Sequence, residues 1–319
     1  MVLGIGLGLF FGRLALQGAG WQEVRETLQG WSLFALVVPV VLVVASSYLR
    51  GLRWSLMWTS QRVSSVRLML IENAAIGLNN VSPVRIFDEG LELGILTLRD
   101  RLPGGVALAT MMMCRVQDLI FTLLFITVAV VFLPELRQYS IVVAGALVFL
   151  AGWLLLLLLL NRIVQRFLVL RRIPGVVSFG NALRDLRKQK RRVALTFSTT
   201  CAYWLLLAPV GLLLARAAGI DLAFHLIMVA VIGGIFFATA VPGLPGALGT
   251  FEFAVVSLLE LWDVPKAEAI SFAIVLHAVL FLPITAFTVF VLPREGLASI
   301  GALRNILRER QKAPVGSGS

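Results

Sequence analysis

The sequence is poor in charged residues and in the side chains that build metal sites and disulfide frameworks. Only 14% of its 319 residues are charged, and it contains two cysteines and two histidines. Cys114 and Cys201 both lie in apolar runs, which argues against a disulfide framework or a cysteine-based zinc site. His225 and His277 are too few and too far apart in sequence to indicate a metal cluster. We therefore expect neither a metal ion nor a cofactor.

The catalytic motifs of soluble enzymes are also missing. The sequence has no phosphate-binding loop, no G-x-S-x-G, no H-E-x-x-H and no dinucleotide-binding fingerprint after a strand. We therefore expect a protein that is not an enzyme and has no ATP site. An intramembrane lipid-modifying enzyme, which would need none of these motifs, is kept as an alternative.

Apolar residues are abundant instead. They make up 59% of the chain, and the mean hydropathy is +0.93. A soluble protein is about half apolar and about a quarter charged, so much of this excess must face lipid. The net charge of +11 comes from basic residues just beyond apolar runs, not from a basic domain, which argues against nucleic-acid binding. The sequence predicts an all-α, polytopic integral membrane protein.

Six segments have, or approach, the roughly 20 apolar residues that a membrane-spanning helix needs. They are residues 2–17, 31–49, 105–133, 139–161, 193–216 and 266–292. In the first, Gly4, Gly8 and Gly12 recur at every fourth position, a pattern typical of close helix packing in membranes. We expect one transmembrane domain over residues 1–312.

Basic clusters after the second, fourth and last spans predict the orientation. The first contains Arg50, Arg53, Arg62 and Arg67, and the second forms a basic loop at residues 162–192. The positive-inside rule places the clusters and both termini in the cytoplasm of a cell that carries the protein in its plasma membrane. Residues 313–319 are expected to be a disordered tail or a remnant of an expression linker.

Two further apolar stretches, residues 66–102 and 222–263, are interrupted by proline, glycine and asparagine. Each can hold two half-helices that meet at a break. Re-entrant hairpins on opposite sides of the membrane would make an inverted-repeat transporter with its site at the breaks. The alternative is a pair of short ordinary spans in each stretch, which gives eight crossings. Broken backbone at membrane depth needs protein or water around it, so both versions predict a lined cavity.

Charged groups at membrane depth are costly, and they are the candidate binding residues. Arg115 and Asp118 are three residues apart and share a helix face, as a structural ion pair or as a phosphate-binding arginine held by its acid. Arg85 follows Pro83 at the first break, where freed backbone N–H groups would complete an anion site. Asp88 or Glu89 is its expected partner.

The second break has the most distinctive sequence in the chain. It contains Pro242, Gly243, Pro245, Gly246 and Gly249. Prolines lack an N–H donor and glycines allow close backbone approach, so this segment can expose main-chain dipoles to a ligand.

The acid that follows this break has several expected roles. Glu252 opens the next helix, where a carboxylate is a favourable cap. It can also pair with Arg115 or Arg85, or hold a cationic substrate group.

Three elements resemble those of a known family. They are Asn80…Pro83-Val84-Arg85…Glu89, Arg115-Val116-Gln117-Asp118, and Pro245-Gly246-Ala247-Leu248-Gly249-Thr250-Phe251-Glu252. In this order they resemble the flippase-like membrane domain of lysylphosphatidylglycerol synthetases (multiple peptide resistance factors) and its stand-alone relatives, over residues 2–312. Cys114 stands where the family often has glutamate. The soluble aminoacyl-transferase domain has no counterpart here, so lipid lysylation is not carried over.

The resemblance implies a stand-alone lipid translocase whose partners are anionic or aminoacylated phospholipids or polyprenyl-linked lipids. Arg85 and Arg115 would bind the lipid phosphate. Asn80, Asp118, Glu252 and either Asp88 or Glu89 would complete the head-group site. The alternatives are the intramembrane enzyme and a non-transporting scaffold of a lipid synthase. Homo-oligomerisation is left open.

Overall fold

The computed structural model describes residues 2–59, 61–82, 87–166, 174–241 and 243–295. Its first helices are α1 Val2–Leu16, α2 Trp21–Gln29, α3 Leu33–Met57, α4 Ser65–Val81, α5 Phe87–Gly94 and α6 Gly104–Phe132. These are followed by α7 Ser140–Arg166, α8 Pro174–Lys188, α9 Lys190–Ala217, α10 Phe224–Ala240, α11 Thr250–Glu260 and α12 Lys266–Arg294. Short helical turns of other types lie at Ile95–Arg99, Pro134–Tyr139 and Pro245–Ala247. These described ranges contain no strand, and the predicted all-α class is confirmed.

Long apolar helices dominate the molecule. Within the described ranges, five are long and apolar enough to cross a membrane: Leu33–Met57, Gly104–Phe132, Pro134–Leu156, Lys190–Ala217 and Lys266–Arg294. α1 and α10 are shorter apolar helices. Large apolar side chains on the outer surface are strongly exposed, such as Phe34 at 89% and Ile141 at 84%. This outward-facing apolar surface accounts for the excess of apolar residues, and the chain is a multi-pass membrane protein.

Helix α3 is longer than the sequence predicts. The predicted span ends at residue 49, but no helix-breaking proline follows, and the helix continues to Met57. Arg50 and Arg53 therefore lie inside a helix and not in a cytoplasmic loop, where we expected them. Arg53 is only 1% exposed. The prediction for these two arginines was wrong because a run of arginines was interpreted as the end of the apolar segment.

Both interrupted stretches are divided into two helices. α4 ends at Val81 and α5 begins at Phe87, while α10 ends at Ala240 and α11 begins at Thr250. These ends coincide with the predicted breaks. In the expected loop at 162–192, α7 continues to Arg166 and α8 occupies Pro174–Lys188. Residues 167–173 and the predicted tail at 313–319 lie outside the described residues.

The glycine face of α1 packs on the second break. A Cβ atom on Gly8 would lie 2.7 Å from the backbone nitrogen of Leu244, and one on Gly4 would lie 3.1 Å from the carbonyl oxygen of Gly243. Only glycine permits this approach of two backbones. The predicted small-residue face therefore positions the irregular segment 243–249.

Helices α4 and α12 are joined along their length. The Thr288 hydroxyl donates to the Ala74 carbonyl oxygen at 3.2 Å, and the Asn80 amide donates to the Thr285 hydroxyl at 3.0 Å. Gly77 leaves room for this contact, since a Cβ there would lie 2.8 Å from the Cα of Thr285. The two helices thus hold the first break beside the middle of α12.

An ionic cluster closes the end of this helix pair. The Arg67 guanidinium contacts Glu295 at 2.5 Å and Asp100 at 2.9 Å, and Arg99 contacts Glu295 at 2.8 Å. The hydrogen bond from Arg67 lowers the pKa of the Glu295 carboxyl, against the effect of its burial. The cluster joins the start of α4 to the residue after α12.

Candidate functional site

A cavity of about 660 Å³ lies between the two breaks. Helices α3, α4, α5, α6, α9, α10 and α12 and the irregular segment 243–249 all contribute to its wall. Its polar lining consists of Ser46, Ser47, Arg50, Glu72, Asn79, Asn80, Glu89, Arg115, Asp118, Thr122, Tyr203, Trp204 and Thr239. Apolar residues such as Ile235 and Leu280 line the rest. Its volume falls in the range of about 300–1,000 Å³ that is typical of ligand pockets.

Asp118 is the best-anchored acid in this wall. Its carboxylate receives the Arg53 guanidinium at 2.5 Å, a hydrogen bond from the Tyr203 hydroxyl, and a longer one of 3.4 Å from the Trp204 indole. These donors come from α3 and α9. Because a charge inside a membrane protein is costly unless paired, Asp118 and Arg53 stabilise each other and join three helices at the cavity wall.

A second ion pair crosses from α3 to α4. The Arg50 guanidinium lies 2.8 Å from the Glu72 carboxylate, and their side chains are 15% and 8% exposed. Both side chains line the cavity. This pair presents a cation and an anion to the cavity while each neutralises the other.

Arg115 lies beside the acids of α5. Its guanidinium is 3.8 Å from Glu89 and 3.9 Å from Glu92. Its side chain is 40% exposed, compared with 15% for Arg50, the other arginine in the cavity wall. Arg115 is therefore the arginine of the wall that is most accessible from the cavity.

Arg115 and Asp118 both line the cavity, as their spacing on α6 suggested, but they have different partners. Asp118 pairs with Arg53, which sequence analysis had placed in a loop, while Arg115 approaches the acids of α5. The predicted ion pair between neighbours on one helix is replaced by pairs between helices. Bonds between helices are favoured here because α3, α5 and α9 all approach this face of α6.

Glu252 lies outside the cavity lining and forms two contacts. One carboxylate oxygen accepts the Gly249 backbone N–H at 2.7 Å, which caps α11 as expected. The other lies 2.5 Å from His277 Nδ1 on α12. Pairing with Arg115 or Arg85 and holding a cationic substrate group were its other expected roles, and within the described ranges its ion pair is with His277.

The second break forms part of the cavity wall through Gly246 and Ala247. Gly246 has a φ of +65° and Gly249 a φ of +82°, a conformation that L-residues with a side chain rarely adopt. The Gly246 carbonyl oxygen lies 2.9 Å from His277 Nε2. A Cβ on Gly246 would lie 3.2 Å from the Asn80 carbonyl oxygen. The two breaks therefore meet at Gly246 and Asn80.

The family model for the lysylphosphatidylglycerol synthase TM region matches residues 1–287 of this chain. The chain belongs to this family. The predicted resemblance is confirmed over most of the described structure, and membership indicates a role connected with membrane lipids. No curated protein and no solved structure matches the chain significantly.

The predicted site residues fall partly inside and partly outside the described ranges. Pro83, Arg85 and Pro242 lie outside the described residues, as does the side chain of Asp88. Asn80 and Glu89 line the cavity, and Gly243, Pro245, Gly246 and Gly249 form the irregular segment at the second break. In the described part of the chain, no three His, Cys, Asp or Glu side chains are arranged to hold a metal ion.

Sequence reasoning missed four residues that shape this site. Arg50 and Arg53 were assigned to orientation, and neither Tyr203 nor His277 was among the candidate binding residues. A signal for the arginines was present, because Arg50 and Arg53 are three residues apart and no proline follows Pro39 before the end of α3. Tyr203 and His277 stand alone among apolar residues of the sequence, so nothing near them indicated their partners.

Proposed function

We propose that this chain moves a membrane lipid between leaflets, with the lipid head group passing through the cavity between the two breaks. The observation that carries the proposal is a cavity of about 660 Å³ in a multi-pass membrane protein, with Arg50, Arg115, Glu72, Glu89 and Asp118 in its wall. Membership of a lipid-related membrane family supports it. Acyl chains would stay in the bilayer against the exposed apolar surface.

The charge pattern favours a head group that carries a phosphate. Arg115 is the most exposed cavity arginine, and a planar guanidinium can bind two phosphate oxygens at once. Glu89, at 57% side-chain exposure, would then face a cationic group of a zwitterionic or aminoacylated lipid. Arg50 and Glu72, which neutralise each other at 2.8 Å, would give a water-filled path without net charge.

The positions of the basic clusters are the basis for the proposed orientation in the membrane. The two broken stretches would form re-entrant hairpins related as an inverted repeat, with both termini in the cytoplasm of a cell whose plasma membrane contains the protein. We propose transport without chemical change of the lipid.

The experiment is a translocation assay in proteoliposomes. An aminoacylated phosphatidylglycerol and, separately, phosphatidylethanolamine are placed in both leaflets, and a membrane-impermeant amine reagent detects the lipid that reaches the outer leaflet. We expect the protein to raise the rate for at least one of these lipids above that of empty vesicles. Mass spectrometry of the recovered lipid tests for chemical change.

Variants of Arg115 identify its contribution. Arg115→Gln should lower the rate about tenfold or more, because a charge-assisted phosphate contact is worth about 1.5–3 kcal/mol. Arg115→Lys should restore part of the rate, since it keeps the charge but not the bidentate geometry. Arg216→Gln is the matched control, because Arg216 is 56% exposed and pairs with Asp221 away from the cavity. Equal rates for wild type, Arg115→Gln and empty vesicles would refute the proposal.

A further inference from the structure

Glu252 and His277 form a nearly buried pair, and each side chain bonds a backbone group of the second break. His277 is 6% exposed, and its ring packs against Phe281 with centroids 4.2 Å apart and against Phe251 at 4.9 Å. Its two nitrogens lie 2.5 Å from a Glu252 carboxylate oxygen and 2.9 Å from the Gly246 carbonyl oxygen. Both ring nitrogens therefore face oxygen atoms.

This geometry requires a proton that neither side chain supplies in its ordinary neutral-pH form. The Gly246 carbonyl can only accept, so Nε2 must carry a hydrogen. Nδ1 and the Glu252 oxygen must then share a second hydrogen, either as imidazolium and carboxylate or as neutral imidazole and carboxylic acid. In both descriptions the pair holds one proton beyond a carboxylate and a neutral ring, and its net charge is zero.

Loss of that proton breaks one of the two bonds. A carboxylate facing a neutral ring leaves a single N–H for two acceptors. If Nδ1 keeps the hydrogen, the Nε2 lone pair faces the Gly246 carbonyl and that bond is lost; if Nε2 keeps it, the bond to Glu252 is lost. The proton leaves to water, and the pair changes from neutral to a charge of −1.

The segment that this proton holds is part of the cavity wall. Gly246 and Ala247 line the cavity, and so does Phe281, which packs on the imidazole ring. The Glu252 side chain is 16% exposed, so the pair is shielded but not sealed. We propose that Glu252 and His277 form a binding site for one exchangeable proton, whose occupancy fixes segment 243–249 against α12.

Charged and titratable groups are also present on the helices around the Glu252–His277 pair. Those carried by the described residues of the elements that pack on α11, α12 or segment 243–249 are Arg13, Glu23, Arg25, Glu26, Tyr48, Arg50, Arg53, Arg67, Glu72, Lys190, Arg191, Arg192, Cys201, Tyr203, Arg216, His225, Glu260, Lys266, Glu268 and Arg294. Arg50 pairs with Glu72, Arg53 and Tyr203 bind Asp118, and Glu260 pairs with Lys266. The rings that pack on His277 are those of Phe251 and Phe281, which do not titrate. The proton of the pair is therefore the charge that controls the contact between His277 and Gly246.

The test follows the mobility of segment 243–249 as the pH changes, without any lipid assay. Leu248 is 53% exposed, so a spin label on Leu248→Cys is tolerated in a full-length protein whose Cys114 and Cys201 are replaced by alanine. In lipid nanodiscs, we expect the label to change from restricted to mobile as the pH rises. His277→Gln should abolish this transition, because an amide cannot bind the proton.

His225→Gln is the matched control, since His225 is the chain's other histidine and is exposed. It should keep the wild-type transition. Nitrogen NMR of ¹⁵N-histidine protein gives a second measurement that needs no variant at position 277. We expect the His277 nitrogens to show one N–H and one shared proton on the low-pH side of the transition, and Glu252→Gln to remove the shared proton.

A pH-independent label, a transition that survives in His277→Gln, or a His277 spectrum unchanged by Glu252→Gln would overturn the proposal. None of these outcomes depends on lipid movement, so a failure here is separate from a failure of the proposed transport. If both hold, an imposed pH gradient should change the translocation rate of the wild type, and the rate of His277→Gln should not respond.

Discussion

Arg53 and Asp118 are 65 residues apart in sequence, and their side chains meet at 2.5 Å in the interior of the protein. Arg53 is 1% exposed, and its partner also accepts a hydrogen bond from Tyr203. The pair thus places two full charges where lipid-facing helices surround them. Its energetics differ from those of a surface salt bridge, because removing either partner leaves the other charge without compensation.

Asp118→Asn should therefore destabilise the protein by about 3–5 kcal/mol, because Arg53 would remain buried without its counter-charge. The double variant Arg53→Met with Asp118→Asn should recover part of this loss, since it removes the unpaired charge. Thermal unfolding of the purified protein in detergent measures both effects. A double variant less stable than Asp118→Asn alone would contradict this account of the pair.

The packing of α1 on the second break gives a test with a control in the same helix. Gly8→Ala should lower the unfolding temperature and loosen α1, because its Cβ would lie 2.7 Å from the Leu244 backbone nitrogen. Gly6→Ala adds the same methyl group where no atom lies within 4 Å, and it should be neutral or slightly stabilising. Equal effects of the two substitutions would show that the close approach of α1 is not important.

The cavity is expected to contain water, and this can be measured separately from transport. In a background without Cys114 and Cys201, a cysteine at Thr239 in the cavity wall should react rapidly with a membrane-impermeant maleimide. A cysteine at Val131, which is 58% exposed on the apolar surface of α6, should react slowly because lipid covers it. Fast labelling at both positions, or at neither, would contradict a water-filled cavity inside a lipid-facing shell.

The cluster of Arg67, Asp100 and Glu295 predicts a pH-dependent contribution to stability. The folded-state pKa of Glu295 lies below its ordinary value of 4.5, so its stabilisation is fully present above pH 4.5 and is lost as the pH falls through the lowered pKa. Glu295→Gln should cost about 2 kcal/mol at pH 7. The stability difference from wild type should stay constant down to about pH 5 and shrink below that.

Glu135→Gln is the control for this measurement, because Glu135 lies on an exposed turn. Its difference from wild type should stay small at every pH. A Glu295→Gln difference that persists undiminished at pH 3 would refute the electrostatic origin of the effect.

The sequence predicted most of the helices and both breaks, because apolar length and the positions of proline, glycine and asparagine are local properties. Of the residues that it grouped into one site, Arg115, Asp118, Asn80 and Glu89 line the cavity and Glu252 does not. It did not predict Arg53 as the partner of Asp118 or His277 as the partner of Glu252, because these partners come from helices distant in sequence, and nothing local distinguishes Arg53 from an arginine beyond a span. The tertiary packing of the helices determines both of these pairs.

The bonds between α4 and α12 have a consequence for motion. Glu295, Thr288 and Thr285 bind α4 at successive levels, which are Arg67, the Ala74 carbonyl and Asn80. Sliding one helix along the other would break all three bonds together. We therefore expect any opening of the cavity to move α4 and α12 together as one rigid body. The displacement would then occur at the contacts of this helix pair with α3, α9 and the irregular segment near Gly246.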